Sequence, residues 1–372
     1  MIRLMTRKEQ HPAHDLQHEP VLAVCGWSGA GKTTVLEAVI AKLAGRGLRV
    51  AVVKHDAHGV QVDRRGKDSD RLFRAGASVH LRSPDELVSR VRTAVGEGLE
   101  SAVWNLLRRH DLVLVEGHKG TPLPKVWCTD ESGAPPPPAV ESVLSVLARD
   151  DRRPDLLGRI IDARLDEAHR RRPVFGGLLI GGSGRRMGSP KQLLSFRGRS
   201  VLRRCLDGLG PAVDRAVILG RGALPEDVGP LPQLPDAPDC GDGPAAAFLT
   251  AFRWAPRCCW VLAACDMPRL SRDAMDWLLA ARRPGRWAVV PRCDSGHLEP
   301  LLALYEPPVA ALLAEQLRGG RRALHHLAQH PTVHTPRIPD RLASAWTNVN
   351  TPEQLALLEA GESGNGRQGE TA

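Results

Sequence analysis

An α/β fold in two successive domains, each built on a mainly parallel sheet, is what this sequence predicts, and three observations predict it. Short β-branched runs alternate with stretches of helical apolar spacing along almost the whole chain, the pattern of strands joined by crossover helices. Two glycine-rich loops, at 26–34 and 178–191, each follow such a run, as phosphate-binding loops do. The 372 residues supply material for two cores.

The first series opens on a strand at 21–25 (VLAVC) and passes through GWSGAGKTT into a helix, where Val35, Leu36, Val39, Ile40 and Leu43 recur at helical spacing. Gly26, Gly31, Lys32 and Thr33 satisfy G-x-x-x-x-G-K-[ST], with Gly29 inside the loop and Thr34 after it. Glycines let backbone N–H groups curl around phosphate oxygens, the lysine reaches the terminal phosphates, and the hydroxyl can ligate magnesium. This is a P-loop in strand-to-helix context. Further strands are expected at 49–54, 111–116 and 143–147, with a helix over 86–109. The run DLVLVEG ends its strand on Glu116, a carboxylate placed to help hold magnesium or position water. The tetraproline at 135–138 reads as a surface loop, since another strand-like run follows it.

The charged stretch DEAHRRRP ends at Pro173 and continues the helical run of 156–168. It marks the junction between a first domain over 20–172 and a second over 173–360. Residues 1–19 and 361–372 are expected to be disordered tails.

The second series offers strands at 177–180, 216–219, 260–264, 287–291 and 301–305. In LLIGGSGRRMGSPK, Gly181 and Gly182 allow close backbone approach to an anion, while Arg186 and Lys191 supply positive charge. Close backbone approach and fixed positive charge suit phosphoryl or nucleotidyl transfer, where the enzyme orients and stabilises. WVLAACDMPRL ends an apolar strand on Asp266, the position from which a carboxylate holds a magnesium ion on a triphosphate. His326, His330 and His334 recur every four residues, but Pro331 breaks the helix that would align them as ligands. Cys258 and Cys259 point to opposite faces at the start of a strand, which argues against joint ligation.

Lys and Arg number 51 against 42 Asp and Glu, a net charge of +9 spread evenly over both halves, so no dedicated nucleic-acid face is indicated. The eight cysteines form no C-x-x-C pair, which suits reduced thiols. No run of eighteen apolar residues occurs, and the amino terminus lacks the apolar core of a signal peptide. A soluble, cytoplasmic protein without membrane or nucleic-acid partners is the expectation.

Taken with KHDAHG, DRRGKDSDRLFRAGA and the pair Pro124 and Lys125, the first loop and Glu116 make residues 20–170 resemble the molybdopterin-guanine dinucleotide biosynthesis adaptor, a P-loop GTP-binding protein. The resemblance implies a P-loop NTPase-type sheet with slow GTP hydrolysis, and places Lys54, His55, Asp63, Lys67 and Asp68 near the nucleotide. A departure is His58, followed by Gly59 where the family has a second histidine. From 174 to 360, GGSGRRMG, CDMP, EPLLALY and NVNTPEQL resemble molybdenum cofactor guanylyltransferase, a nucleotidyltransferase of Rossmann-like fold. That resemblance implies transfer of GMP from magnesium-bound GTP to the phosphate of molybdenum-molybdopterin. Leu179, Ile180, Gly181, Gly182, Lys191 and Asp236 would contact the nucleotide, Asp266 would hold magnesium, Lys191, Arg186 and Asp266 would support catalysis, and Asn348 and Asn350 would line the pterin side. Molybdopterin-loading proteins and apo-molybdoenzymes are the implied protein partners. Ile180 for alanine, Pro190 for aspartate and GPAAAF for GPLAG depart from the family at base recognition. A cytidylyl or other nucleotidyltransferase of the same fold, or a non-catalytic cofactor carrier, are the alternatives.

Overall fold

The computed structural model describes residues 16–54, 64–92, 98–181, 190–241 and 243–365. By their contacts these divide into two units, one of residues 16–45 and 50–164 and the other of 46–49 and 165–365.

The strands of the first unit are β1 (Val21–Gly26), β2 (Val50–Lys54), β3 (Val79–Arg82), β4 (Leu87–Arg90), β5 (Leu112–Glu116), β6 (Lys125–Cys128) and β7 (Val143–Leu147). Five form a parallel sheet in the order β2-β5-β1-β6-β7. Every residue of β1 is buried, as a central strand covered on both faces requires. Val21, Ala23 and Cys25 pack with Val113, Val115 and Trp127 on one face. The helix after β1, Lys32–Gly45, buries Val35, Leu36, Val39 and Leu43.

Two expectations fail in this unit. In place of one helix over 86–109 the chain forms an antiparallel hairpin of β3 and β4 and a shorter helix, Leu99–Leu107. The turn 83–86 explains the hairpin: Ser83 N–H donates to Glu86 O at 2.8 Å and Glu86 N–H to Ser83 Oγ at 3.0 Å, so the chain reverses and Val88 pairs with Leu81. The tail expected over 1–19 ends earlier, because Leu16 is buried against the sheet and Arg164 donates to the carbonyls of Gln17 and Glu19; residues 1–15 lie outside the described residues.

The second unit contributes β8 (Val174–Leu179), β9 (Ser195–Phe196), β10 (Arg199–Ser200), β11 (Arg215–Leu219), β12 (Gln233–Leu234), β13 (Cys259–Ala264), β14 (Ala288–Val289), β15 (Ala303–Tyr305) and β16 (Val333–His334). Seven of them form one mixed sheet, β12-β11-β8-β13-β15-β14-β16. Strands β12, β11, β8 and β13 run parallel, and β15 is antiparallel to both β13 and β14. Alternate residues of β13 fill opposite cores: Cys259, Val261 and Ala263 join one, Trp260 and Leu262 the other. Cys258 belongs to the second, so the adjacent cysteines do serve opposite faces.

The helix Arg153–Arg171 runs without interruption through the charged stretch, and the division between units falls inside it. Just beyond it, Arg172 donates to the buried Glu306 at 3.0 Å, which also accepts from Arg282 Nε at 2.9 Å. At the other end, the helix Pro352–Asn365 continues past residue 360, where a tail was expected. Among the described residues no helix is long and apolar enough to cross a membrane.

Candidate functional sites

The first loop leaves the carboxyl end of β1, between β5 and β6, the place where open α/β sheets bind ligands. Gly26 is required there sterically: a Cβ would stand 2.4 Å from Cys128 O. Gly29 and Gly31 take φ of +77° and +75°, conformations that cost a side chain energy. Lys32 folds its ammonium over the loop, donating to Trp27 O at 2.8 Å and Gly26 O at 3.4 Å. Thr33 Oγ1 donates to Glu116 Oε1 at 3.0 Å, so the hydroxyl and carboxylate singled out from sequence meet. Lys54 lies 3.6 Å from Glu116 Oε2. Thr34 is exposed on the first helical turn.

Of the other first-domain residues singled out from sequence, His55, His58 and Asp63 lie outside the described residues. Lys67 stands at the N-cap position of the helix Asp68–Arg74 without a side-chain cap bond, and the exposed Asp68 side chain pairs with Arg71 at 3.7 Å. The anchoring carboxylate is Asp70, which sequence reasoning passed over. It accepts from Gly66 N–H, Arg74 and Arg90, and the Gly66 amide followed by the Arg74 guanidinium holds its carboxyl well below the usual range. Lys125 is fully buried and donates to Thr121 O and Glu141 O, both at 2.7 Å; it ties two loops together, and burial lowers its pKa.

In the second unit Leu179 ends β8, and Ile180 is buried, its N–H donating to Leu219 O at 2.9 Å. A Cβ on Gly220 would stand 2.3 Å from Ile180 O, so the two strand ends approach as closely as backbone allows. Gly181 has a φ of +109°. Gly182 and Arg186 lie outside the described residues. Lys191 begins a 3-10 turn, Lys191–Leu193, and its ammonium donates to Asp266 Oδ2 and to Asn350 Oδ1, both at 2.7 Å. The parallel register of β13 with β8, Ala264 opposite Leu179, delivers Asp266 to this end of the sheet. Val349 N–H donates to Asp266 O at 2.9 Å and Asn350 N–H to Gln354 Oε1 at 2.7 Å, which fixes the NVN segment beside it. Asn348 is exposed. Asp236 follows β12 and precedes the turn Pro238–Cys240.

Magnesium fits this donor set. Asp266 Oδ1 is buried with no hydrogen-bond partner among the described residues, an arrangement that a hard cation resolves. Among the described residues no group of three or more His, Cys, Asp or Glu could hold a metal. His330 is no ligand candidate: it bonds Thr332 Oγ1 at 2.7 Å and stacks on Trp287.

The two sites define a P-loop nucleotide-binding domain followed by a nucleotidyltransferase domain. Residues 21–149 match the family described as molybdopterin guanine dinucleotide synthesis protein B, and 176–333 the family described as MobA-like NTP transferase domain. The chain is 38% identical over 131 residues to the molybdopterin-guanine dinucleotide biosynthesis adapter protein of Haemophilus influenzae, covering 35% of this chain and 74% of that one. It is 35% identical over 186 residues to the probable molybdenum cofactor guanylyltransferase of Bacillus licheniformis, covering 49% and 93%. The molybdenum cofactor biosynthesis bifunctional protein of Synechocystis sp. is 28% identical over 189 residues, covering 50% and 54%. This chain belongs to the molybdopterin-guanine dinucleotide biosynthesis adapter family in its first part and to the molybdenum cofactor guanylyltransferase family in its second.

Proposed function

We propose that the second domain transfers GMP from magnesium-bound GTP to the phosphate of molybdenum-molybdopterin, and that the fused first domain is a GTP-binding adaptor with slow hydrolysis. The observation that carries the reading is Lys191, one ammonium held between Asp266 and Asn350. An oxygen of the acceptor phosphate attacks the α-phosphorus of GTP, the bond to the β-phosphate oxygen breaks, and pyrophosphate leaves with the electron pair.

Lys191 neutralises charge that builds on the triphosphate, and Asn350 and Asp266 hold its ammonium in place for that task. Leu179, Ile180, Gly181, Gly182 and Asp236 bind the nucleotide, Arg186 adds positive charge, and Asn348 with Asn350 faces the pterin. Asp266 Oδ1 would hold magnesium, which when bound offsets triphosphate charge and orients the leaving group. In the first domain Gly26, Gly29, Gly31, Lys32 and Thr34 cradle the phosphates, with Thr33 and Glu116 at the metal position. Protein partners of the adaptor are molybdopterin-loading proteins and apo-molybdoenzymes, and the setting is cytoplasmic.

Incubation of the full chain with magnesium, molybdopterin and each nucleoside triphosphate in turn, followed by analysis of the dinucleotide formed, tests this. Formation of the guanine dinucleotide is expected. A cytosine product would move the specificity to a cytidylyl transferase, and absence of any dinucleotide would leave a cofactor carrier.

A further inference from the structure

The helix Arg153–Arg171 begins with an arginine whose side chain runs beneath the first phosphate loop. Arg153 is only 4% exposed. Its guanidinium bonds four main-chain carbonyls: Nη1 donates to Ala30 O at 2.6 Å, Nη2 to Thr129 O at 2.7 Å and Leu147 O at 3.0 Å, and Nε to Ala148 O at 2.6 Å. Among the described residues no carboxylate pairs with it. Carbonyl dipoles satisfy the donors but leave the positive charge uncancelled, and a buried charge without a counter-ion is costly. Its location gives that cost a use. Ala30 belongs to the loop, Thr129 follows β6 and Leu147 ends β7, so one group ties the loop to the carboxyl ends of two neighbouring strands.

The bond to Ala30 also sets a direction. No peptide in the chain's described residues is cis, and in a trans planar peptide the C=O and N–H point opposite ways. With Ala30 O fixed on the guanidinium, the N–H of Gly31 is turned away from Arg153, to the concave side of the loop, where backbone N–H groups meet phosphate oxygens. Gly31 holds the φ of +75° that this path needs, and a Cβ there would lie 3.6 Å from Arg153 Nη1.

We infer that Arg153 is a positioning residue of the first nucleotide site: it orients the Gly31 N–H and places fixed positive charge behind the loop, selecting nucleoside di- and triphosphates over monophosphates. The inference rests on reading this loop as a GTP site. The two are separated by titrating the full chain and its Lys32→Ala variant with fluorescent GTP, GDP and GMP. Binding lost in the Lys32→Ala chain belongs to the first site, and identical binding by both chains would refute the site itself, whatever Arg153 does. With the site established, Arg153→Lys and Arg153→Gln are expected to weaken GDP and GTP at the first site about tenfold or more, the scale of a hydrogen bond to a charged group. GMP should change little, so the preference for GDP over GMP shrinks. Thermal melting of the same variants monitors the fold. An unchanged GDP-to-GMP preference in folded variants, or failure of both variants to fold, would make Arg153 a structural residue only and overturn the assignment.

Discussion

In the first unit the groups of the proposed nucleotide site come from one continuous run, 26–33, with Glu116 added from the end of β5, where it accepts from Thr33. In the second, Lys191 meets an aspartate 75 residues away in sequence and an asparagine 159 residues away. As proposed nucleotide sites they differ in construction: the first rests on a glycine loop whose backbone N–H groups have local spacing. The second assembles side chains that only the sheet register brings together. A local loop should fail when its own lysine or glycines change, while a dispersed site should show graded losses as each strand-end contributor is removed.

The largest effect is expected for Lys32→Ala, which should abolish nucleotide binding at the first site in a binding titration while dinucleotide synthesis stays measurable. Complete loss of synthesis in a folded Lys32→Ala chain would show that the two sites are not independent. Asp266→Asn should lower guanylyl transfer at least ~100-fold with the fold intact, because the carboxylate that would hold magnesium loses its charge; melting curves and steady-state assays check both halves. Asn350→Ala should cost about tenfold, the range for a hydrogen bond to a charged group, chiefly by raising the KM for GTP through a displaced Lys191. Asn348→Ala should leave the KM for GTP unchanged, since among the described residues it is Asn350, not Asn348, that accepts from that lysine. Equal effects of the two on GTP would deny Asn350 its link to the nucleotide side.

The second unit takes the last turns of the helix Arg153–Arg171 as its own. A fragment starting near Leu165 is therefore expected to fold and retain transfer activity, whereas one starting at Arg172 should melt lower, having lost His169. An unfolded or inactive fragment from Leu165 would end the modular description. The smallest effect on chemistry concerns pH. Burial holds the His169 imidazole down to about 4, against the upward pull of the Glu306 carboxylate. Between the usual value of about 6.5 and 4 the unfolded chain binds a proton that the folded chain refuses. The stability from neutral His169 is thus whole above that upper value and lost as pH falls through the window. His169→Gln should flatten the dependence of the melting temperature on pH in this range and leave turnover at neutral pH alone.

The contrast between the sites also explains what could be read in advance. The P-loop, its strand and helix, Glu116 at the end of β5 and Asp266 at the end of β13 were legible because each is a local pattern, an apolar run ending on a glycine turn or a carboxylate. The contact of Asn350 with Lys191 was not, since nothing local relates two residues 159 positions apart. Arg153 was equally hidden. It stands in the run ARDDRRP, where nothing marks it out from Arg149 or Arg152, yet those two are exposed and Arg153 is buried. The hairpin of β3 and β4 was missed for a related reason: over 86–92 the valines Val88 and Val91 stand at helical spacing, and only the Ser83 turn sets the segment into a strand.

Strand period, helix period and glycine geometry are properties of short segments, so the two α/β units, the glycine loops, the carboxylates at strand ends and the family of each half can all be read along the chain. Tertiary structure alone decided which distant side chains share a site, which arginine lies buried under the loop, and which of two neighbouring aspartates, Asp68 or Asp70, is anchored. Burial and partnership depend on the register and packing of whole strands, and those are fixed only when the sheet closes.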